Sequence, residues 1–162
     1  MGRTPEIIIG HPGLNRDNFR SYSYDNQNDP EGFRGLLELN RVTPSTHPRA
    51  IDLCAGDGSF ARMLVDNGWQ EEDMTCVDIA RTETPLVPKA TWLFWDVEAL
   101  SLAILKYTEI PPEIAVYKHR FDIAILMQGE GFYDEKENAV CKYLVRPNGY
   151  IHNLSTIIRG DT

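Results

Sequence analysis

The chain has 162 residues, 42% of them hydrophobic, which suits one domain with a real core and is too short for a cofactor domain beside a separate substrate domain. A formal net charge of −8 argues against unaided docking on a phosphate backbone, because non-specific nucleic-acid affinity comes from Lys and Arg, and the one basic cluster, Lys118-His119-Arg120, is short. No apolar run approaches the ~18 residues of a membrane span, and the opening MGRTPEIIIGHPG has too short an apolar stretch for a signal peptide to be expected.

Residues 1–48 read as a polar, irregular lead-in containing NRDNFRSYSYDNQNDPEG, with a short helix near Gly32 to Leu39. The aromatic Phe19, Tyr22 and Tyr24 are candidates for a lid, against the plainer reading of a mobile tail. The domain proper is read as residues 49–162. From there apolar runs and helical patterns alternate. The expected elements are a strand over Ala50–Cys54, a helix over Ser59–Asn67, strands over Met74–Asp78 and Thr91–Trp95, and a helix over Val97–Tyr107. A strand over Phe121–Gln128, a helix over Asp134–Val145 and a strand over Tyr150–Ser155 follow. Such alternation predicts an α/β fold with a single doubly wound, mostly parallel sheet and helices on both faces.

Punctuation supports the boundaries. Gly68 stands where a left-handed residue closes a helix, Asp134 and Glu137 have capping-box spacing, and Pro111-Pro112 is expected to stop the helix begun at Val97. Pro147-Asn148-Gly149 is expected to turn the following helix into the last strand. Cys54, Cys76 and Cys141 are odd in number and set in hydrophobic surroundings, which points to reduced thiols in a cytoplasmic protein, and no Cys or His spacing suggests a metal.

The string Gly56-Asp57-Gly58-Ser59-Phe60-Ala61 fits the phosphate-binding turn of dinucleotide folds, with Asp78 about 20 residues further on. In such folds the first glycine follows the strand directly, whereas here Cys54-Ala55 intervene after Asp52-Leu53. The pattern D-L-x-x-G-x-G, followed by a helix, instead resembles motif I of the class I (Rossmann-like) S-adenosylmethionine-dependent methyltransferases. CVDIA then puts Asp78 at the end of the second strand and LFWDVEAL puts Asp96 at the end of the third. MQGEGFY follows the fourth strand, and YLVRPNGYIHN resembles the family's entry to strand five. The resemblance covers about Arg49 to Asn153. Cys54 stands where the family usually has its first glycine, and the chain looks like a short form lacking the usual C-terminal strands.

The resemblance implies S-adenosyl-L-methionine as cofactor, held by Asp52, Cys54, Ala55, Gly56, Gly58, Asp78, Ile79, Asp96, Val97 and Gln128. Glycines let the main chain approach the methionine part, Asp78 would accept the ribose hydroxyls, and Asp96 would accept from the adenine amino group. Asp52 would lie near the cationic end of the cofactor. Taken singly, an aspartate at a strand end is more often a helix cap or turn residue. Trp92 and Trp95 are expected to pack in the core or at a sheet edge, and His152 to be a satisfied, half-buried histidine.

Methyl transfer from a sulfonium is an in-line displacement, for which the protein supplies proximity, alignment and a dry site. Where the acceptor has a proton to lose, Glu130 is the candidate base and Tyr133 its orienter, against the reading of Glu130 as a solvated loop carboxylate. The expected acceptor is a small molecule or a protein group. The short, proline-rich ARTETPLVPKA between strands two and three resembles the layout of FtsJ-type RNA methyltransferases, but their Lys-Asp-Lys-Glu tetrad finds no match. Three other readings stay open: a non-catalytic S-adenosylmethionine-binding module or subunit, another S-adenosylmethionine-using enzyme (lyase, cyclase or aminopropyl transferase), and an NAD-dependent oxidoreductase. A homo-oligomer or a partner chain covering the strand-five edge is a further expectation.

Overall fold

The computed structural model describes residues 30–79, 82–106, 108–126 and 135–153. In chain order these form α1 (Pro30–Leu39), β1 (Ala50–Leu53), α2 (Ser59–Asp66), a single 3₁₀ turn (Glu71–Asp73), β2 (Met74–Asp78) and β3 (Thr91–Phe94). They continue with α3 (Val97–Leu105), α4 (Pro112–Ala115), β4 (Phe121–Leu126), α5 (Glu135–Leu144) and β5 (Val145–Asn153). The strands make one sheet in the order β3-β2-β1-β4-β5, with every neighbouring pair parallel. The sheet is thus all parallel, and its order reverses between β1 and β4.

Strand alternation sends successive side chains to opposite faces, and helices bury both. On one face Ala50, Met74, Cys76, Ile123, Ile125 and Tyr150 pack with Phe33 and Leu37 of α1 and with Phe60 and Leu64 of α2. On the other, Ile51, Leu53, Val77, Ala124 and Leu126 pack with Leu100 and Ala103 of α3 and with Val140 and Leu144 of α5. Helix α1, read from sequence as part of the lead-in, therefore shares the core of the sheet. Phe33 meets Phe60 edge to face at 5.8 Å between ring centroids.

Three local expectations are corrected. Helix α3 ends at Leu105, before the prolines, and Pro111-Pro112 instead opens α4, with Pro111 as cap and Pro112 in the first turn. That is where a missing N–H costs nothing and the fixed φ helps. The last strand begins at Val145, directly after α5, so Pro147-Asn148-Gly149 lies inside β5. Phe121 pairs with Val145 and Ile123 with Tyr150, so the extra β5 residues between those pairs form a bulge, with Asn148 left-handed at φ 65°. Gly149 is required there, because a Cβ would stand 2.8 Å from the Asp122 carbonyl oxygen. The third correction concerns β1 and β3, which stop one residue short of expectation. Gly68 does close α2 in the left-handed region, at φ 107°.

The amino ends of β1, β4 and β5 are tied by one buried carboxylate. Asp122 accepts from the Arg49 backbone N–H at 2.8 Å and from Arg146 Nε at 2.7 Å. Arg146 also donates to the Thr46 carbonyl at 3.2 Å.

Candidate functional site

The carboxyl ends of β1, β2 and β3 converge on the turn between β1 and α2. Cys54 (φ 54°), Gly56 (φ 61°) and Gly58 (φ 94°) are all left-handed, so the chain reverses within a few residues. For Cys54 that conformation costs about 1–2 kcal/mol that the surroundings must supply. The Ala55 N–H donates to the Val77 carbonyl at 2.8 Å, carrying the β1–β2 ladder into the turn. At the end of β2, Asp78 accepts from the Gly56 N–H through Oδ2 and from the Ile79 N–H through Oδ1, both at 2.7 Å. This buried carboxylate clasps the glycine turn from the neighbouring strand.

Asp52 lies one layer deeper. Its Oδ2 accepts from the Ala61 N–H of α2 at 3.2 Å, serving a helix whose own cap position, Gly58, has no side chain to offer. Asp52 is 3% exposed, and burial pushes its carboxyl up to about 8, with Asp78 and Asp57 adding to the rise and the Ala61 N–H opposing it. Cys54 stands among the same acids. Burial raises its thiol first, and Asp78, Asp52 and Asp96 raise it further, so the thiol stays protonated at neutral pH.

At the end of β3, Asp96 accepts from the Ala99 N–H at 3.0 Å as the cap of α3. The side chain of the next residue, Val97, is buried in the core. Trp95 is buried and Trp92 half-buried, both in packing roles. His152 is 1% exposed, deeper than expected, with Nδ1 3.0 Å from the Tyr150 hydroxyl. Gln128, Glu130 and Tyr133, together with Phe19, Tyr22 and Tyr24, lie outside the described residues.

The β2–β3 connection contributes a feature the sequence reading left out. The Leu86 N–H donates to the Asp57 carbonyl at 2.8 Å, and Val87 is fully buried over the glycine turn. A Cβ on Gly58 would stand 2.9 Å from Val87 Cγ2 and 3.4 Å from Trp92 Cζ2. Gly58 is therefore glycine for its φ and for this strap. The signal was in PLVPKATW, where prolines rule out a long helix and apolar residues still need a surface to bury. At the opposite end of the sheet, a cavity of about 320 Å³ lies between Arg49, Tyr117, Arg120 and Phe121, with Glu72 and Asp73 also on its wall.

Together, the parallel sheet, its strand order and the glycine turn at the carboxyl ends define an α/β protein with a Rossmann-like arrangement. No protein-family profile matches the chain, and no curated protein matches it. Among solved structures, the PH0226 protein from Pyrococcus horikoshii OT3 is similar over 87% of this chain and 72% of its own, at 15% sequence identity and a TM-score of 0.39. Among the described residues no helix is long and apolar enough to cross a membrane, and no group of three His, Cys, Asp or Glu side chains is placed to hold a metal ion.

Proposed function

We propose that the chain is an S-adenosylmethionine-dependent methyltransferase whose cofactor lies across the carboxyl ends of β1, β2 and β3 and whose acceptor is a small molecule or a protein group. The observation that carries the reading is the clasp of Asp78 on Gly56, with Asp52 next to last in β1 and Asp96 two residues beyond β3. In open α/β sheets ligands bind at this end. Asp78, held by the Gly56 and Ile79 N–H groups, presents a fixed carboxylate at the strand end, which suits a ribose diol. Asp96, fixed as the cap of α3, stands where an adenine amino group would reach it. Asp78 and Asp96, beside Cys54 at the strand ends, make a negative mouth, favourable for a sulfonium cation and unfavourable for a dinucleotide pyrophosphate, while Asp52 beneath them is neutral.

The cofactor supplies the activated methyl carbon. The chain's part is to hold the nucleoside, align the sulfonium with the acceptor and exclude water.

Titration calorimetry with S-adenosylmethionine, S-adenosylhomocysteine and NAD tests the reading. Micromolar binding of the first two and none of NAD is expected. Asp78→Ala should abolish it, and Asp78→Asn, which keeps one acceptor for the turn but loses the charge, should weaken it about tenfold or more. Absence of binding by a chain with a native circular dichroism spectrum would sink the proposal.

A further inference from the structure

We propose that the chain pairs with a second copy of itself through the outer edge of β3, joining two sheets across a two-fold axis. The inference stands independently of any cofactor.

Among the described residues, the strand order leaves β3 with one neighbour, β2. The Trp95 N–H points inward, donating to the Asp78 carbonyl at 3.2 Å. Backbone groups alternate along a strand, so those of Leu93 and Thr91 also face β2, and the N–H and C=O groups of Trp92 and Phe94 face away. Among the described residues nothing pairs with them. The segment Thr91-Trp92-Leu93-Phe94 has no charge, proline or glycine, and Trp92, Leu93 and Phe94 each remain half-buried. Edges of solitary sheets are normally blunted by lysine, proline or a bulge. β5 has two of these, with Pro147 lying in its bulge. β3 has none.

Charge placement selects a second copy as the occupant. Antiparallel pairing about a two-fold centred on Leu93 sets Trp92 of one copy opposite Phe94 of the other, so that both outward backbone pairs are satisfied. The same register brings Lys89, ahead of β3, beside Glu98, in the first turn of α3, of the other copy. Both side chains are exposed. The uncharged strand is also where two chains of net charge −8 can approach with least repulsion.

Sedimentation equilibrium of the full chain, with hydrogen exchange of the Trp92 and Phe94 amides, is the test. The expected result is a dimer in which both amides are protected, and faster exchange on dilution. Phe94→Lys should give a monomer with an unchanged circular dichroism spectrum. Lys89→Glu should weaken the dimer, and adding Glu98→Lys should restore it. A monomer at every concentration overturns the proposal. So does a dimer that survives these variants with both amides unprotected, because its contact then lies elsewhere.

Discussion

Asp52 and His152 occupy one row of the sheet, joined through Ile125, which pairs with each of them. Both project onto the face covered by α1 and α2, where Asp52 meets the Ala61 N–H and His152 meets Phe33 at 4.8 Å between ring centroids. Burial neutralises them from opposite directions, pushing Asp52 up to about 8 and His152 down to about 4. At neutral pH the row holds a protonated acid and an uncharged imidazole.

Their pH dependences are opposed. Asp52 has a folded value above its ordinary 3.8, so its contribution to stability is complete below about pH 4 and is lost as pH rises towards 8. His152 has a folded value below its ordinary 6.5, so its contribution is complete above that pH and is lost as pH falls towards 4. The two nearly cancel between pH 4 and 6.5, and above 6.5 the Asp52 loss stands alone. Asp52→Asn, which mimics the protonated acid, should raise stability at pH 8 by roughly 2–4 kcal/mol and leave it unchanged at pH 4. Urea denaturation at pH 4, 6.5 and 8 checks this, and parallel curves for the two proteins would refute it.

Phe33 is 3% exposed and sits between Phe60 and His152. Phe33→Ala should cost about 3–5 kcal/mol. By admitting water it should also let the His152 pKa climb from about 4 towards 6.5. Proton NMR titration of the imidazole reads the second effect separately from the first.

Asp122 and Arg146 share a short ion pair at 2.7 Å, in which Arg146 is part-exposed and the carboxylate nearly buried. Asp122→Ala and Arg146→Ala should each cost about 1–3 kcal/mol, the first by releasing the Arg49 N–H as well and the second by stranding a buried charge. The double variant should lose less than the two together. Strict additivity in denaturant melts would show that the pair contributes nothing as a unit.

Gly58 and Gly149 should respond differently to a methyl group. At Gly58 the added Cβ meets the side chain of Val87, which can shift, and the remaining strain comes from φ 94°. Gly58→Ala should cost about 1–3 kcal/mol, part of it recovered by Val87→Ala. At Gly149 the obstacles are the Val145 side chain within the bulge and the backbone carbonyls of Asp122 and Arg146, so the bulge itself must change shape and β5 must shift against β4. Gly149→Ala should lower the melting temperature more than Gly58→Ala, and the reverse order would contradict the packing argument.

Much of the architecture was legible because a parallel sheet buried on both faces writes apolar runs such as AIDL, MTCVD and FDIAIL, separated by helical spacing. Boundaries slipped where proline was read as a stop. Pro112 fits the first turn of α4, and Pro147 fits a bulge on an edge strand, and local sequence does not separate these uses. Asp52, Asp78 and Asp96 were singled out by the family resemblance, since a strand-end position alone points as readily to a helix cap. Their present partners, the Ala61, Gly56 and Ala99 N–H groups, depend on how α2, the turn and α3 pack. Asp122 carried a weaker signal, an acid second in an apolar run, whose meaning required Arg146 from the far end of the chain. The depth of His152 likewise depended on α1 folding over the sheet, which a polar lead-in did not announce.

The tie between Arg49 and Asp122 spans 73 residues, and the sheet is centred on the pairing of the strands they introduce. A chain emerging from the ribosome can join β1, β2 and β3 early, but the inner edge of β1 then waits for β4 to be made. Sheets centred on so distant a contact fold slowly, because loop closure is paid before the pairing is gained. The most buried strand of the finished protein is, for that interval, an open edge, and it is then that the nascent chain has most to gain from a chaperone.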